Sequence, residues 1–151
     1  MKYLDVKEST AGVHVWLVLA KTSHALAGWA NRSIVDLGMC ASDFGALEIL
    51  LHKGPLPVNE LGRKLLLTSG SITTAVDRLE KRGLVRRESI AEDRRARVVH
   101  LTAAGRRQIE KAFARHAADM ERATQVLSPA ERSTLIGLLK KLGMAAVVEK
   151  E

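Results

Sequence analysis

The sequence holds a single cysteine, Cys40, so no disulfide can form within the chain. That cysteine has no CxxC partner. The histidines, His14, His24, His52, His100 and His116, include no compact H-x-x-x-H or H-E-x-x-H pair. No glycine-rich phosphate loop is present. Ser69-Gly70-Ser71 opens an amphipathic segment instead of following a core strand, so it is not a nucleophile elbow. These absences argue against an enzyme and against a metal or other cofactor. No apolar run reaches the roughly eighteen residues of a membrane span. Met1 to Glu8 is charged and lacks a secretory apolar core, so a cytoplasmic protein is expected. Three prolines and eleven glycines in 151 residues leave no long linker, and the length suits one domain with a real core.

What the chain has in surplus is positive charge. Its 24 Lys and Arg against 17 Asp and Glu give a formal net charge of +7, which favours an anionic partner without naming it. The surplus has a focus: residues 78–97 carry eight basic and four acidic side chains. They lie within a longer stretch, Pro55 to Thr102, around which the rest is organised. Val58, Leu61 and Leu65 share one face of a short helix, about Val58 to Leu65. A polar turn around Leu67 to Gly70 follows, with Thr68 or Ser69 able to cap the next helix. That helix runs from about Ser69 to Arg82. It turns Ile72, Val76 and Leu79 to one side and Ser71, Thr74, Asp77, Arg78 and Lys81 largely elsewhere. Gly83 supplies the stop. The plan is helix-turn-helix, and Ser, Thr and Arg suit base edges and phosphates in a major groove. Taken alone, these helices also fit an ordinary hairpin with a solvated face. The next segment adds two short apolar runs, Leu84 to Glu88 and Val98 to Leu101, that can pair as antiparallel strands. The charged tip between them, Ile90 to Arg97, can enter an adjacent minor groove. Helix-turn-helix plus hairpin makes a winged helix and points to double-stranded DNA.

Four pieces stand in order along the chain: Asp43-Phe44-x-x-Leu47-x-x-Leu50, Leu66-x-x-Ser69-Gly70-Ser71-Ile72-Thr73, Asp77-Arg78-Leu79-Glu80-x-x-Gly83-Leu84-Val85, and Glu92-Asp93-x-Arg95 leading to Val99-x-Leu101-Thr102-x-x-Gly105. In this order and spacing the chain resembles the MarR family of bacterial transcription regulators, over about residues 10 to 146. The resemblance implies that Asp93 and Arg95 occupy the Asp-x-Arg of the wing, whose arginine enters the minor groove. It implies that the Leu-Thr-x-x-Gly segment leads into a dimerisation helix. It further implies a cleft between the dimer helices and the winged domain for a small aromatic or phenolic ligand. The stretch Leu51 to Pro57, with Leu67 to Thr73, is similar to the branch that controls quinone and catechol detoxification.

Outside the central stretch, a long helix is expected from Thr10 to Leu37, ended by Gly38 and serving oligomerisation or kinking near Gly28. Ser42 can cap a second helix, Asp43 to His52. Pro57 leaves room for only a very short strand beside it. Thr102 can cap a helix from Ala103 to about Val126. Ser128-Pro129-Ala130-Glu131 then reads as a capping box opening the last helix, with Leu135, Leu138, Leu139, Leu142 and Val147 on its apolar side. The expected fold is mainly α with a small antiparallel β-wing. Residues 1–151 form one domain, with a winged helix-turn-helix core at 42–101 and dimerisation helices at 10–37 and 103–148. A larger monomeric helical domain is the alternative.

The candidate DNA contacts are Ser69, Ser71, Thr73, Thr74 and Arg78 on the helix and Arg94, Arg95 and Arg97 in the wing, with Asp93 orienting an arginine. The expected partners are a pseudo-palindromic operator and a second copy of the chain. A dimer sitting on a promoter represses simply by occlusion. Candidate effector contacts are His14, Trp16, His24, Trp29, Met39 and Phe113. Cys40 offers a competing redox-sensing repressor, although no basic residue lies within seven positions to lower its pKa. A DNA-binding protein of low sequence specificity is the other alternative.

Overall fold

Burial gathers first on the second helix. Phe44, Leu47 and Leu50 recur at helical spacing, and with Ala46 they leave at most 2% of their surface exposed. The computed structural model describes residues 10–148, with the side chains of all but 93–95 and 148. In chain order the elements are α1 (Ala11–Val35), α2 (Ala41–Lys53), β1 (Leu56–Pro57), α3 (Val58–Lys64), α4 (Ser69–Lys81), β2 (Val85–Ile90), β3 (Asp93–Leu101), α5 (Ala103–Thr124) and α6 (Pro129–Val148). Leu61 of α3, Ile72, Val76 and Leu79 of α4, Val85 and Val99 of the sheet, and Ile109 and Ala112 of α5 close the core around α2. Each such Leu, Ile or Val contributes about 1.5–3 kcal/mol by leaving water.

The antiparallel sheet is three-stranded, ordered β1-β3-β2. Pro57 pairs opposite Val98 and Leu56 opposite Val99, so the proline sits on an edge strand as its missing N–H requires. Along β2 the register runs from Val85↔Leu101 through Arg87↔Val99 to Ser89↔Arg97, then shifts before Ile90↔Asp93.

Several boundaries differ from the sequence reading. The α2 helix starts at Ala41 with Cys40 at its N-cap, and Ser42 lies inside the first turn instead of capping it. The wing strands are longer than expected: ladder pairing continues to Ile90 and Asp93, so the tip is only Ala91-Glu92 and residues 93–97 belong to β3. The turn before α4 is less polar than its sequence suggests, because Leu67 packs on the core while Leu66 points outward at φ 56°. The α1 helix runs through Gly28 and ends at Val35, and α5 ends at Thr124.

The stop at Gly83 and the starts at Thr102 and Ser128 are observed as read. Gly83 adopts φ 71°. Its N–H donates to the Glu80 carbonyl (2.9 Å) and that of Leu84 to the Leu79 carbonyl (3.0 Å), a Schellman closure of α4. The Thr102 hydroxyl donates to the Gly83 carbonyl (2.6 Å) and accepts from the Gly105 N–H (3.0 Å), capping α5. At α6 the Ser128 N–H donates to Glu131 Oε2 (2.8 Å) and Ser128 Oγ accepts from the Glu131 N–H (3.3 Å). That bonding holds the Glu131 carboxyl below its ordinary pKa.

The end of α4 and the start of α5 therefore touch backbone to backbone. A Cβ on Gly105 would stand 1.9 Å from the Leu84 carbonyl oxygen, whereas one on Gly12 of α1 would meet nothing within 4 Å. We expect Gly105→Ala to force a backbone shift costing about 3 kcal/mol. Gly12→Ala is expected to be neutral or stabilising by up to about 1 kcal/mol. Urea unfolding of the two variants checks both values.

Candidate nucleic-acid interface

The α4 helix is built with one apolar and one polar side. Ile72, Ala75, Val76 and Leu79 are buried, while Ser69, Ser71, Thr73, Thr74, Asp77, Arg78 and Lys81 are exposed. Thr68 caps it, accepting from the Ser71 N–H (3.2 Å) and donating its hydroxyl to Ser71 Oγ (2.9 Å). Thr73 and Thr74 turn their hydroxyl hydrogens back onto the Ser69 (2.7 Å) and Gly70 (3.0 Å) carbonyls. Their oxygens thus face outward as acceptors, suited to the exocyclic amines of adenine or cytosine. The exposed Ser69, Ser71, Thr73 and Thr74 fall together on the first turns, as the sequence suggested.

Arg78 is placed differently from these hydroxyls. Its Nε lies 3.1 and 3.0 Å from the two oxygens of Asp43, and its Nη2 lies 2.5 Å from Oδ1. The same Nη2 reaches Ser42 Oγ (3.4 Å) and Cys40 Sγ (3.5 Å). Hydrogen bonding to Asp43, reinforced by its charge, raises the Arg78 pKa above its ordinary value. Arg82 approaches the same carboxylate at 3.9 Å. The guanidinium expected to face bases is therefore drawn onto the start of α2, while Lys81 on that part of α4 is exposed and, among the described residues, forms no ion pair. Sequence reading missed this network because its members lie 35 positions apart. It also missed the cation beside Cys40, which comes from α4 and not from the neighbouring sequence.

In the wing, Arg97 is exposed. The side chains of Asp93, Arg94 and Arg95 lie outside the described residues. On the outer face Glu88 pairs with Arg86, and His100 Nε2 lies 3.0 Å from Glu88 Oε2. Burial, with Arg86 nearby, holds the His100 pKa below its usual value. On the inner face Arg87 engages Asp77 and Glu80 of α4, residues that sequence reading did not join.

Of the six candidate effector contacts, four lie on α1, Met39 lies just before α2 and Phe113 lies on α5. Met39 is buried in the core, and Phe113 packs against it, edge-on to His52 at 4.7 Å between ring centres. Trp16 and Trp29 are 65% and 41% exposed on α1. The Arg32 guanidinium lies over the Trp29 ring, 5.1 Å from its centre. His14 is half-buried and His24 exposed on the same helix. Cys40 is exposed, with its Sγ 3.2 Å from Ser42 Oγ.

The Asp43 side chain is 3% exposed and that of Arg78 43%. Removing one partner is therefore not equivalent to removing the other. Arg78→Ala strands a buried carboxylate and should cost about 3 kcal/mol. Asp43→Asn keeps a hydrogen-bond acceptor and lets Arg78 return to water, so it should cost less than half as much. Denaturant unfolding of both variants measures the asymmetry, and equal losses would show that burial of Asp43 does not set the cost.

The same arrangement is found in known proteins. The family model described as "MarR family" matches residues 41–96, from the start of α2 into the wing. The HTH-type transcriptional regulator YkoM of Bacillus subtilis (strain 168) is 33% identical over 138 residues, covering 91% of this chain and 90% of that protein. The HTH-type transcriptional regulator MhqR of the same organism is 34% identical over 87% of this chain and 91% of its own length. Among solved structures, a probable transcriptional regulator from Pseudomonas aeruginosa superimposes with a TM-score of 0.74 at 33% identity, covering 85% of this chain and 96% of that one. Among the described residues no helix is long and apolar enough to cross a membrane. A capped helix presenting hydroxyls, a three-stranded wing beside it and matches along nearly the whole chain agree: the protein belongs to the MarR family of winged helix-turn-helix, DNA-binding transcriptional regulators.

Proposed function

We propose that the protein works in the cytoplasm as a homodimeric repressor. It recognises a pseudo-palindromic operator and is released by a small aromatic or phenolic effector. The observation that carries the dimer is apolar surface left uncovered at both ends of the chain. Val13, Trp16, Leu17 and Val18 of α1 are each 48–65% exposed. Leu135, Ile136, Leu138, Leu139, Leu142, Met144 and Val147 of α6 are each 40–73% exposed. Every residue of α6 from Ser133 to Val147 is exposed in the protomer. An apolar helix without a packed partner of its own is the usual signature of an interface. A two-fold pair would set two copies of α4 on one face of the duplex, about 34–36 Å apart. In the wing, Arg95 is the proposed minor-groove contact, with Arg94 and Arg97 on phosphates and Asp93 orienting an arginine.

The effector reading rests on the resemblance to the quinone- and catechol-responsive branch, with which the likeness to MhqR agrees. Trp16, Trp29, His14 and His24 all sit on α1, beside surface that a second copy would cover. A partner helix laid over that surface would form a cleft around them.

Two measurements on the full chain test the dimeric repressor. Light scattering after size exclusion should give twice the chain mass. Competition at fixed salt should favour the selected pseudo-palindrome over random duplex by about 10³-fold. Leu138→Glu with Leu142→Glu should yield a folded single chain with weakened operator binding. A concentration-independent mass of one chain in the wild type rejects the dimer, and equal affinity for random duplex leaves a low-specificity DNA binder.

One observation favours a second reading. The exposed Cys40 thiol lies 3.5 Å from Arg78 Nη2, so a change at sulfur would be felt where Arg78 holds Asp43. On that reading, mild oxidant modifies Cys40 and releases DNA, and Cys40→Ser abolishes the response. Mass spectrometry paired with DNA-binding titrations measures this, and a fully responsive Cys40→Ser removes the thiol from the mechanism.

A further inference from the structure

Two carboxylates, Asp77 and Glu80, stand on the exposed side of the helix that reads DNA. On electrostatic grounds alone they oppose phosphate binding. Their geometry supplies a different role. Both reach the same residue of the wing, Arg87 on β2: its Nη2 donates to Asp77 Oδ1, and its Nη1 lies 3.5 Å from Glu80 Oε2. The other oxygen of Glu80 accepts the Arg87 backbone N–H at 3.1 Å. The β2 strand is an outer strand of the sheet, so that N–H would otherwise be a free edge donor. The Arg87 side chain is 18% exposed, against 57% for Asp77 and 41% for Glu80. It follows Val85 on the inner face of β2, turned toward α4, and lies opposite Val99. An arginine enclosed in this way is poorly placed to meet phosphate. A planar guanidinium holding two acceptors, with its own backbone held by one of them, is well placed to fix an angle.

We infer that Arg87, clamped by Asp77 and Glu80, is a positioning residue that sets the wing against the recognition helix, so that major-groove and minor-groove contacts form together. The clamp lies at the first inward position beyond Val85. It therefore acts on the lever arm of the hairpin and not at its tip. The bulge between Ser89 and Ile90 follows it, so the strand segment held rigid is the one next to the helix. The carboxylates weaken binding by charge and strengthen it by geometry, and the inference is that geometry dominates.

This inference rests on the proposed DNA contacts of α4 and the wing, and the test separates the two. Affinities are measured at several salt concentrations on the selected operator and on random duplex. The proteins are the wild type, Asp77→Asn, Asp77→Asn/Glu80→Gln, Arg87→Met, Arg87→Lys and Arg95→Ala, each checked for fold by circular dichroism and melting. The double-carboxylate variant loses two negative charges and should nevertheless bind the operator at least tenfold more weakly, with a reduced operator-to-random ratio. Arg87→Met should match it, and Arg87→Lys should recover part of the loss. Combining Arg87→Met with Arg95→Ala should cost less than the product of the single losses, because a misplaced wing has already lost its contact. Asp77→Asn, the mildest change, keeps the sign of the effect readable if the double variant is poorly folded. Tighter operator binding by both carboxylate variants overturns the clamp and assigns Asp77 and Glu80 a purely repulsive role. Failure of the regulator reading appears elsewhere, as a wild type with no preference for operator over random duplex. In that case the direction of the carboxylate effect on random duplex still decides the clamp.

Discussion

A carboxylate almost sealed from water holds the reading helix in place. Asp43 stands in the first turn of α2, and the unpaired N–H groups at that helix start favour its charge. Its oxygens receive Arg78 and, at longer range, Arg82, both from α4. Leu79 lies between these arginines and is itself fully buried. The polar pair and the apolar contact therefore fix the same stretch of α4 from two directions. Packing alone would allow a helix to roll over a greasy surface. A directional guanidinium–carboxylate contact beside it resists that motion and so fixes which residues face outward.

This arrangement changes how the positive charge should be counted. Arg78 and Arg82 are occupied by Asp43, Arg87 by Asp77 and Glu80, and Arg86 by Glu88. Half of the eight cations in the basic stretch are thus tied within the fold, and a formal charge overstates what remains for phosphates. The hydroxyl-bearing first turns of α4 carry neither these pairs nor bulky side chains. That end can approach a groove closely, while the charged end is committed to holding the helix and wing in register. Of the other four cations, Lys81 and Arg97 are exposed.

What could be read from sequence was local. Caps at Thr68, Thr102 and Ser128 and the stop at Gly83 depend on residues within a turn of one another, and all are observed. The burial of α4 follows its 3.6-residue period in the same way. What escaped was set by residues distant in the chain. The start of α2 moved to Ala41, and Ser42, expected as its cap, lies beside Arg78. The wing tip shortened because strand pairing continued across a bulge that no turn residue announced. Cys40 acquired a cation from 38 positions away. Arg86 and Arg87 were legible as charge but not as opposite faces of one strand with opposite partners. Composition can supply a count of ionic groups, but only the fold can pair them.

The wing is fixed from more than one side, and this bears on how the apolar helices and the DNA-reading unit are joined. The α4 helix holds one strand through Arg87, while the other strand runs directly into α5 through Thr102. There the Thr102 hydroxyl bonds the Gly83 carbonyl, the Thr102 N–H bonds the Leu84 carbonyl at 3.1 Å, and Gly105 admits no side chain against that same oxygen. Recognition helix, wing and the start of α5 thus meet at Gly83–Leu84 with little free volume. Farther along, α5 packs against α1, and Arg115 pairs with Asp36 just past the end of α1. A tilt of α5 against α1 cannot be absorbed at a loose hinge by the wing, because the joint is closed by backbone. The apolar helices are thus joined to the wing through backbone contacts at Gly83–Leu84, and the wing to α4 through the Arg87 contacts.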